Sequence, residues 1–258
     1  MPKLPSRLKP KILYPQYGSK AKIAGWISSY FHKHSIYMEP FCGSCAVLFA
    51  KKRSAVEFVN DADARIINLF ERIRSNPAEL AALLWATPYA KGAIGGVSVD
   101  SLEDARLAIA QKQQEYTGDW DGHNWTVSTS GVKPNAWAKW FLRVAPAAVR
   151  LKAVQLLNED AVDAILRVWK CPNALIYADP PYFGHEDAYR YRVDYNRLVC
   201  VLKEARCKVV VSEYPAADNY WKPLGWRRVV KQVRATTAMG GAADHDNWER
   251  TEVLWLNY

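Results

Sequence analysis

Ala174-Leu175-Ile176-Tyr177-Ala178-Asp179-Pro180-Pro181-Tyr182 is a largely apolar run that stops at an acid, two prolines and an aromatic ring. A short apolar run bounded this way reads as a buried strand. Proline fixes its own φ, turns the preceding residue away from helix and carries no N–H. Asp179 to Tyr182 therefore leaves the strand as a rigid, mostly extended loop, with outward carbonyls beside a carboxylate and a flat ring. Two acceptors and a stacking face suit a planar heterocycle that carries an exocyclic amino group. The plainer reading is a proline-stiffened strand end with a surface acid, so the rest of the chain decides.

Downstream, helix resumes near Asp194 with Leu198, Leu202 and Ala205 on one face. Cys207 to Ser212, around Val209-Val210-Val211, reads as another buried strand. Upstream, Ser35–Met38, Ala55–Val59 and Lys152–Leu157 read as strands, each followed by a helix: about Ser44–Lys52, Ala64–Ser75 and Glu159–Trp169. Such alternation predicts a mostly parallel sheet covered on both faces. The end differs: Trp226–Arg234 and Glu252–Asn257 read as an antiparallel hairpin around a loop with Gly240, Gly241 and Asp244.

About Trp85 to Arg143 interrupts the alternation, with Trp120, Trp125, Trp137 and Trp140 clustered among Gly, Ser and Thr. Ser101 reads as the cap of a helix running to the Glu115 region, and Pro134 as the opening of another. Binding residues concentrate on insertions held by rigid scaffolds, which favours a substrate-reading module over a plain helical cap. The expected organisation is 1–84, an inserted module at 85–143, and 144–258.

Composition sets the bounds. A chain of 258 residues, half of them apolar, can bury a good core. No apolar run approaches the roughly 18 residues that span a membrane. Met1 to Lys11 is basic and proline-rich without the apolar core of a signal peptide, so a cytoplasmic protein is expected. Cys42, Cys45, Cys171, Cys200 and Cys207 then read as reduced thiols. Cys42 and Cys45 form a C-x-x-C, but no second C-x-x-C or paired-histidine helix accompanies it, and no metal is expected. A formal charge of +9, with eleven tryptophans and fourteen tyrosines for stacking, favours a polyanionic partner.

Glu39-Pro40-Phe41-Cys42-Gly43-Ser44-Cys45 leaves the first strand and enters a helix. Gly43 permits close backbone approach, and a helix N-terminus offers N–H groups. Open α/β sheets bind nucleotides at such places, outside the carboxyl ends of their strands. A phosphate loop is excluded, because G-x-x-x-x-G-K-[ST] is absent and Glu39 would repel phosphate. A positively charged ligand fits better. Asp61, after the second strand, suits ribose hydroxyls or a helix N-cap equally. Asp160, after the third, carries the same two readings.

Tyr17-Gly18-Ser19-Lys20, Glu39 to Cys45, Asn60-Asp61, Asp160 and Asp179 to Tyr182 occur in one order. That order resembles the D12-class DNA adenine N6-methyltransferases, whose cofactor motif precedes the recognition region and the D-P-P-Y motif. The ending Arg250 to Tyr258 also looks like that family's closing strand. The resemblance spans nearly the whole chain except about 85–143. It implies a Rossmann-like methyltransferase sheet with a terminal antiparallel hairpin and an inserted recognition region, and S-adenosylmethionine as methyl donor. Tyr17, Lys20, Glu39, Phe41 and Gly43 would surround the donor's methionine portion, Asp61 its ribose and Asp160 its adenine, with Asp179 at the reacting end. Two residues depart from the family pattern: Cys45 stands where glycine is frequent, and Tyr195 where histidine is common. Neither is expected to touch the reacting groups.

The implied reaction uses Asp179, Pro180 and Tyr182. Hydrogen bonds from an adenine amino group to Asp179 and the Pro180 carbonyl would orient the nitrogen lone pair for in-line attack on the sulfonium methyl. The carboxylate would stabilise the charge developing on nitrogen, and Tyr182 would stack on an adenine flipped from double-stranded DNA. Candidate phosphate contacts are Lys9, Lys11, Arg190 and Arg192, with Arg227, Arg228, Lys231 and Arg234 on a strand. No obligate protein partner or membrane association is evident. The alternatives are an N4-cytosine methyltransferase, from which Asp rather than Ser at 179 leans away, and a catalytically silent DNA-binding protein.

Overall fold

The computed structural model describes residues 19–91, 101–114, 131–184, 190–234 and 249–258, with only the backbone of Arg234 and Glu249. In chain order the elements are α1 (Ala24–Ser29), β1 (Ile36–Glu39), α2 (Ala46–Ala50), β2 (Val56–Asn60), α3 (Ala64–Ser75) and α4 (Pro77–Ala86). Then come α5 (Leu102–Gln114), α6 (Val132–Trp137), α7 (Val144–Leu151), β3 (Val154–Leu157), α8 (Ala161–Leu166) and β4 (Ala174–Ala178). Last are α9 (Tyr195–Lys203), β5 (Lys208–Glu213), α10 (Asp218–Trp221), β6 (Arg227–Arg234) and β7 (Glu249–Leu256). The seven strands form one sheet in the order β3-β2-β1-β4-β5-β7-β6. The pairs β2–β3, β1–β4 and β4–β5 are parallel, whereas β5–β7 and β6–β7 are antiparallel. This is the α/β sheet with a terminal hairpin that the alternation predicts. Every residue of β4 is buried, as its unbroken apolar run requires.

The chain divides into two compact units, Met1–Tyr30 with Cys42–Glu159, and Phe31–Phe41 with Asp160–Tyr258. In the first, α3 buries Ile66, Leu69, Phe70 and Ile73 and packs against α4, α5 and α7. Its cap is Asp63, whose carboxylate accepts from Arg65 N and pairs with the Arg65 guanidinium at 2.5 Å. Glu57 of β2 is buried between Lys51, at 2.6 Å, and Arg150 of α7, which clasps both carboxylate oxygens and also donates to Leu48 O.

The described part of 85–143 is helical and packs in the same unit, with α5 on α3, α4 and α6. Ser101 caps α5 reciprocally: its Oγ accepts from Asp104 N at 3.0 Å, and Asp104 Oδ2 accepts from Ser101 N at 3.0 Å. Pro134 lies inside the first turn of α6 rather than opening it, because Gly131, at φ +67°, takes the cap position. Trp137 is buried and donates to Thr87 O at 2.7 Å, and Arg143 lies over the Trp140 ring. Trp120 and Trp125 lie outside the described residues. The sequence reading did not anticipate α4, although Asn76-Pro77 is an ordinary helix start.

In the second unit β4 lies between β1 and β5, with Tyr37, Met38, Leu175, Ile176, Val209 and Val210 fully buried. Leu198 and Leu202 of α9 are buried as their spacing requires, and α9 packs against α8. β7 adds antiparallel to β5, placing Val253 opposite Glu213 and Leu254 opposite Ser212. Among the described residues no helix is long and apolar enough to cross a membrane.

Candidate active site

In the first unit the loop after Phe41 is tied to the end of β2. Cys42 N donates to Asn60 O at 2.9 Å, and Asn60 in turn exchanges side-chain hydrogen bonds with the Glu159 backbone. Asp61 Oδ2 accepts from Gly43 N at 2.9 Å, and Oδ1 accepts from Asp63 N at 2.9 Å. The helix cap here is Asp63, so Asp61 serves the loop instead. Burial pushes its carboxyl up to about 6 despite both amide bonds, and the nearby Asp63 charge acts in the same direction. Gly43 and Cys45 both stand in the left-handed region, at φ +46° and +53°. Glycine accepts that freely, whereas Cys45 pays a steric cost, and its buried position holds it there. Ser44 is buried with its hydroxyl 3.1 Å from that of Ser19, and the adjacent Lys20 is only 3 % exposed. Phe41 is half-buried, and Tyr17 lies outside the described residues.

In the second unit the acids gather at strand ends. Glu39 closes β1, buried, and accepts from the Tyr37 hydroxyl at 2.8 Å. Asp179 follows β4, Glu213 closes β5, and Glu252 lies in β7 beside the Glu213 partner Val253. Tyr177 registers this concentration. Burial drives its phenol well above the ordinary range, and the nearby Asp179, Glu39 and Glu252 push the same way. Negative charge packed at these strand ends favours a cationic ligand. Asp160 is the cap of α8: its Oδ1 accepts from Val162 N at 3.0 Å and from Arg197 at 3.0 Å. Asp160 therefore caps α8 with one oxygen while standing at the start of the second unit.

The D-P-P-Y loop is pinned at two points. Tyr182 is 1 % exposed, its hydroxyl donating to Glu252 Oε2 at 3.1 Å and its ring 4.1 Å from that of Tyr214. It does not offer an open stacking face in this structure. Tyr195, the first residue of α9, donates to Pro181 O at 2.6 Å and also meets the Glu213 carboxylate. Its hydroxyl therefore reaches the D-P-P-Y loop at Pro181, beside the candidate residues Asp179, Pro180 and Tyr182. The signals for Glu213 and Glu252 were present, as acids ending or interrupting otherwise apolar strands. Pro180 is buried and Asp179 half-buried.

Arg190, Arg192, Arg227 and Arg228 are exposed, Arg228 pairing with Asp218 at 3.2 Å. Lys9, Lys11 and the Arg234 side chain lie outside what is described. The five cysteines are free thiols, and the described residues hold no group of three or more His, Cys, Asp or Glu able to hold a metal ion.

Two solved structures bear a distant likeness to the chain. One, from Listeria monocytogenes and provisionally titled a class I S-adenosylmethionine-dependent methyltransferase, aligns over 92% of this chain at 10% identity, TM-score 0.39. The chain spans 58% of that protein's length. The other is a Legionella pneumophila protein of the DUF519 family, aligned over 93% of this chain and 86% of its own at 12% identity, TM-score 0.33. No curated protein matches the sequence. Over residues 17–91, which carry α1 through α4, the chain matches the family described as D12 class N6 adenine-specific DNA methyltransferase, and that family implies S-adenosylmethionine as the methyl donor.

Proposed function

We propose that the chain transfers a methyl group from S-adenosylmethionine to N6 of adenine in double-stranded DNA. The observation that carries this reading is the rigid Asp179-Pro180-Pro181-Tyr182 loop at the carboxyl end of a fully buried strand, in a unit that also gathers Glu39, Glu213 and Glu252. The sulfonium of the donor is cationic, and acids at these strand ends match it in charge. Lys20, Glu39, Phe41 and Gly43, with Tyr17, hold the methionine portion. Asp61 takes the ribose hydroxyls and Asp160 borders the donor's adenine.

Asp179 and the Pro180 carbonyl accept the two amino protons of the target adenine, which aims the nitrogen lone pair at the methyl carbon. The new N–C bond would form as the S–C bond breaks, leaving the neutral thioether S-adenosylhomocysteine, and Asp179 would offset the charge that moves onto nitrogen until its proton passes to water. Adenine in a duplex hides this amino group, so the base is flipped out first. Stacking on Tyr182 requires the Tyr214 ring to move off it. Residues 85–143 read the target, 1–84 and 144–258 supply the cofactor and D-P-P-Y parts, and exposed arginines meet phosphate. The protein works in the cytoplasm, where its thiols stay reduced, without an obligate protein partner.

The test is transfer of labelled methyl from S-adenosylmethionine to unmethylated duplex DNA, with nucleoside analysis of the product. N6-methyladenine supports the reading, and Asp179→Ala is expected to abolish it while leaving cofactor affinity intact. N4-methylcytosine would overturn the choice of base. Cofactor binding without any DNA product would overturn the activity.

A further inference from the structure

A loop of two consecutive prolines has no N–H at either position, so it can be held only through carbonyls and neighbouring side chains. Three elements converge on this one. Asp194 caps α9 by accepting from Arg197 N at 3.0 Å, and so presents Tyr195 as the helix's first residue. The Tyr195 hydroxyl donates to Pro181 O at 2.6 Å and meets Glu213 at the end of β5. The ring is 6 % exposed and held edge-on by Phe183 at 5.6 Å, with Tyr220 at 5.3 Å. Glu213 is wholly buried and also accepts from Tyr214 N at 3.1 Å. The phenol carries one hydrogen and faces two oxygens. That hydrogen lies between the Pro181 carbonyl and the Glu213 carboxylate, both of which accept.

We propose that Tyr195 is a positioning residue for methyl transfer. Backed by Glu213, it fixes the Pro181 carbonyl and thereby the orientation of the Pro180 carbonyl one peptide earlier. The catalytic half of this rests on the function proposed above; the anchoring half stands on the hydrogen bonds alone. A carbonyl that must accept a hydrogen bond at one angle cannot be left to rotation about Pro180 ψ, which the ring-fixed Pro181 φ ties to the anchored Pro181 carbonyl, and a misplacement of about 1 Å costs on the order of a hundredfold in rate.

Tyr195→Phe keeps the ring and its aromatic contacts and removes only the hydroxyl. Glu213→Gln retains a hydrogen-bonding group for it, whereas Glu213→Leu does not. Two readouts separate the halves. Hydrogen exchange at the Tyr182, Phe183 and Gly184 amides, the first after the two prolines, is expected to speed up about tenfold or more in Tyr195→Phe and Glu213→Leu and to stay at the wild-type rate in Glu213→Gln. In methyl transfer to unmethylated duplex DNA, Tyr195→Phe and Glu213→Leu should lose kcat by tenfold or more, roughly, with S-adenosylmethionine affinity within about twofold of wild type, and Glu213→Gln should keep kcat. Unchanged exchange in Tyr195→Phe overturns the anchoring. Faster exchange with unchanged kcat, or equal losses in kcat and cofactor affinity, overturns the positioning role. A wild-type protein that methylates nothing defeats the proposed function, and the exchange measurement then still decides whether Tyr195 holds the loop.

Discussion

The raised carboxyl of Asp61 gives the ribose assignment a pH signature. In the unliganded protein this group titrates at about 6 because burial disfavours its charged form. Ribose hydroxyls donate to an acceptor and so favour the ionised carboxylate, which means the cofactor binds best to the deprotonated protein. At pH 7 roughly ten molecules in eleven carry the charge, and at pH 5 roughly one in eleven. Affinity for S-adenosylhomocysteine, whose own groups do not titrate in this window, should therefore fall about tenfold from pH 7 to pH 5, or about 1.4 kcal/mol. The sign for folding is opposite. An acid whose native value is raised makes its largest contribution to unliganded stability at low pH, and loses it as pH climbs from about 4 through about 6.

Ligand-induced protection against melting should consequently grow with pH across that interval while unliganded stability gains nothing from this residue. Isothermal titration at pH 5, 6 and 7 measures the affinity directly. Asp61→Asn should bind weakly and without this slope, although it also turns an NH2 toward Gly43 N or Asp63 N, so the wild-type pH series is the cleaner arm. Affinity that stays flat between pH 5 and 7 would refute the argument and leave Asp61 as the clamp of the Gly43 and Asp63 amides alone.

Other consequences concern stability and charge. Glu57→Gln strands Lys51 and Arg150 in the interior and should cost about 3–5 kcal/mol, a drop in Tm of roughly 6–20 °C. A shift within experimental scatter would show that the cations find other partners. Burial pushes the Glu57 carboxyl up, but hydrogen bonds from Arg150 and Lys51 outweigh it and hold it low. Its contribution is therefore intact at neutral pH and lost only as acid reaches the lowered value. At Cys45, glycine should prove less destabilising than alanine by about 1 kcal/mol in denaturant melts, reversing the usual order for a buried site; an alanine variant as stable as glycine would deny the cost of the left-handed backbone. DNA affinity should fall by roughly a thousandfold or more between 50 and 200 mM salt, with cofactor affinity nearly constant. Parallel slopes would contradict a cofactor site built from acids at strand ends.

The sheet was legible because its strands carry their own punctuation. Unbroken apolar runs at 174–178 and 209–211 mark strands buried on both faces, and an acid follows each, Asp179 directly and Glu213 after Ser212. The helices were less so. α4 is apolar around most of its circumference, so no amphipathic stripe separates it from its neighbour, and only Asn76-Pro77 marks its start. Capping acids posed a different problem. Asp61, Asp63 and Asp160 all follow strands, and sequence spacing gives each the same choice between holding a backbone and holding a ligand. Geometry divides them: Asp63 and Asp160 cap helices, and Asp61 bridges two amides at the loop.

The candidate loop was legible in its residues but not in its supports. A D-P-P-Y run announces a rigid set of acceptors, yet nothing in the run says what keeps it rigid. The partners come from far along the chain, Tyr195 and Glu213 at one anchor and Glu252 at the other. Sequence distance hides such contacts; the buried acids in β5 and β7 were their only trace. Of the two residues that depart from the pattern the sequence resembles, Cys45 lies on the loop after β1, and Tyr195 opens α9 and reaches the loop after β4. Cys45 keeps a left-handed turn that glycine would take without strain, and Tyr195 supplies a hydroxyl where histidine is common. In each case a different side chain accompanies a defined backbone geometry, so a mismatch of residue type is poor evidence that the geometry has been lost.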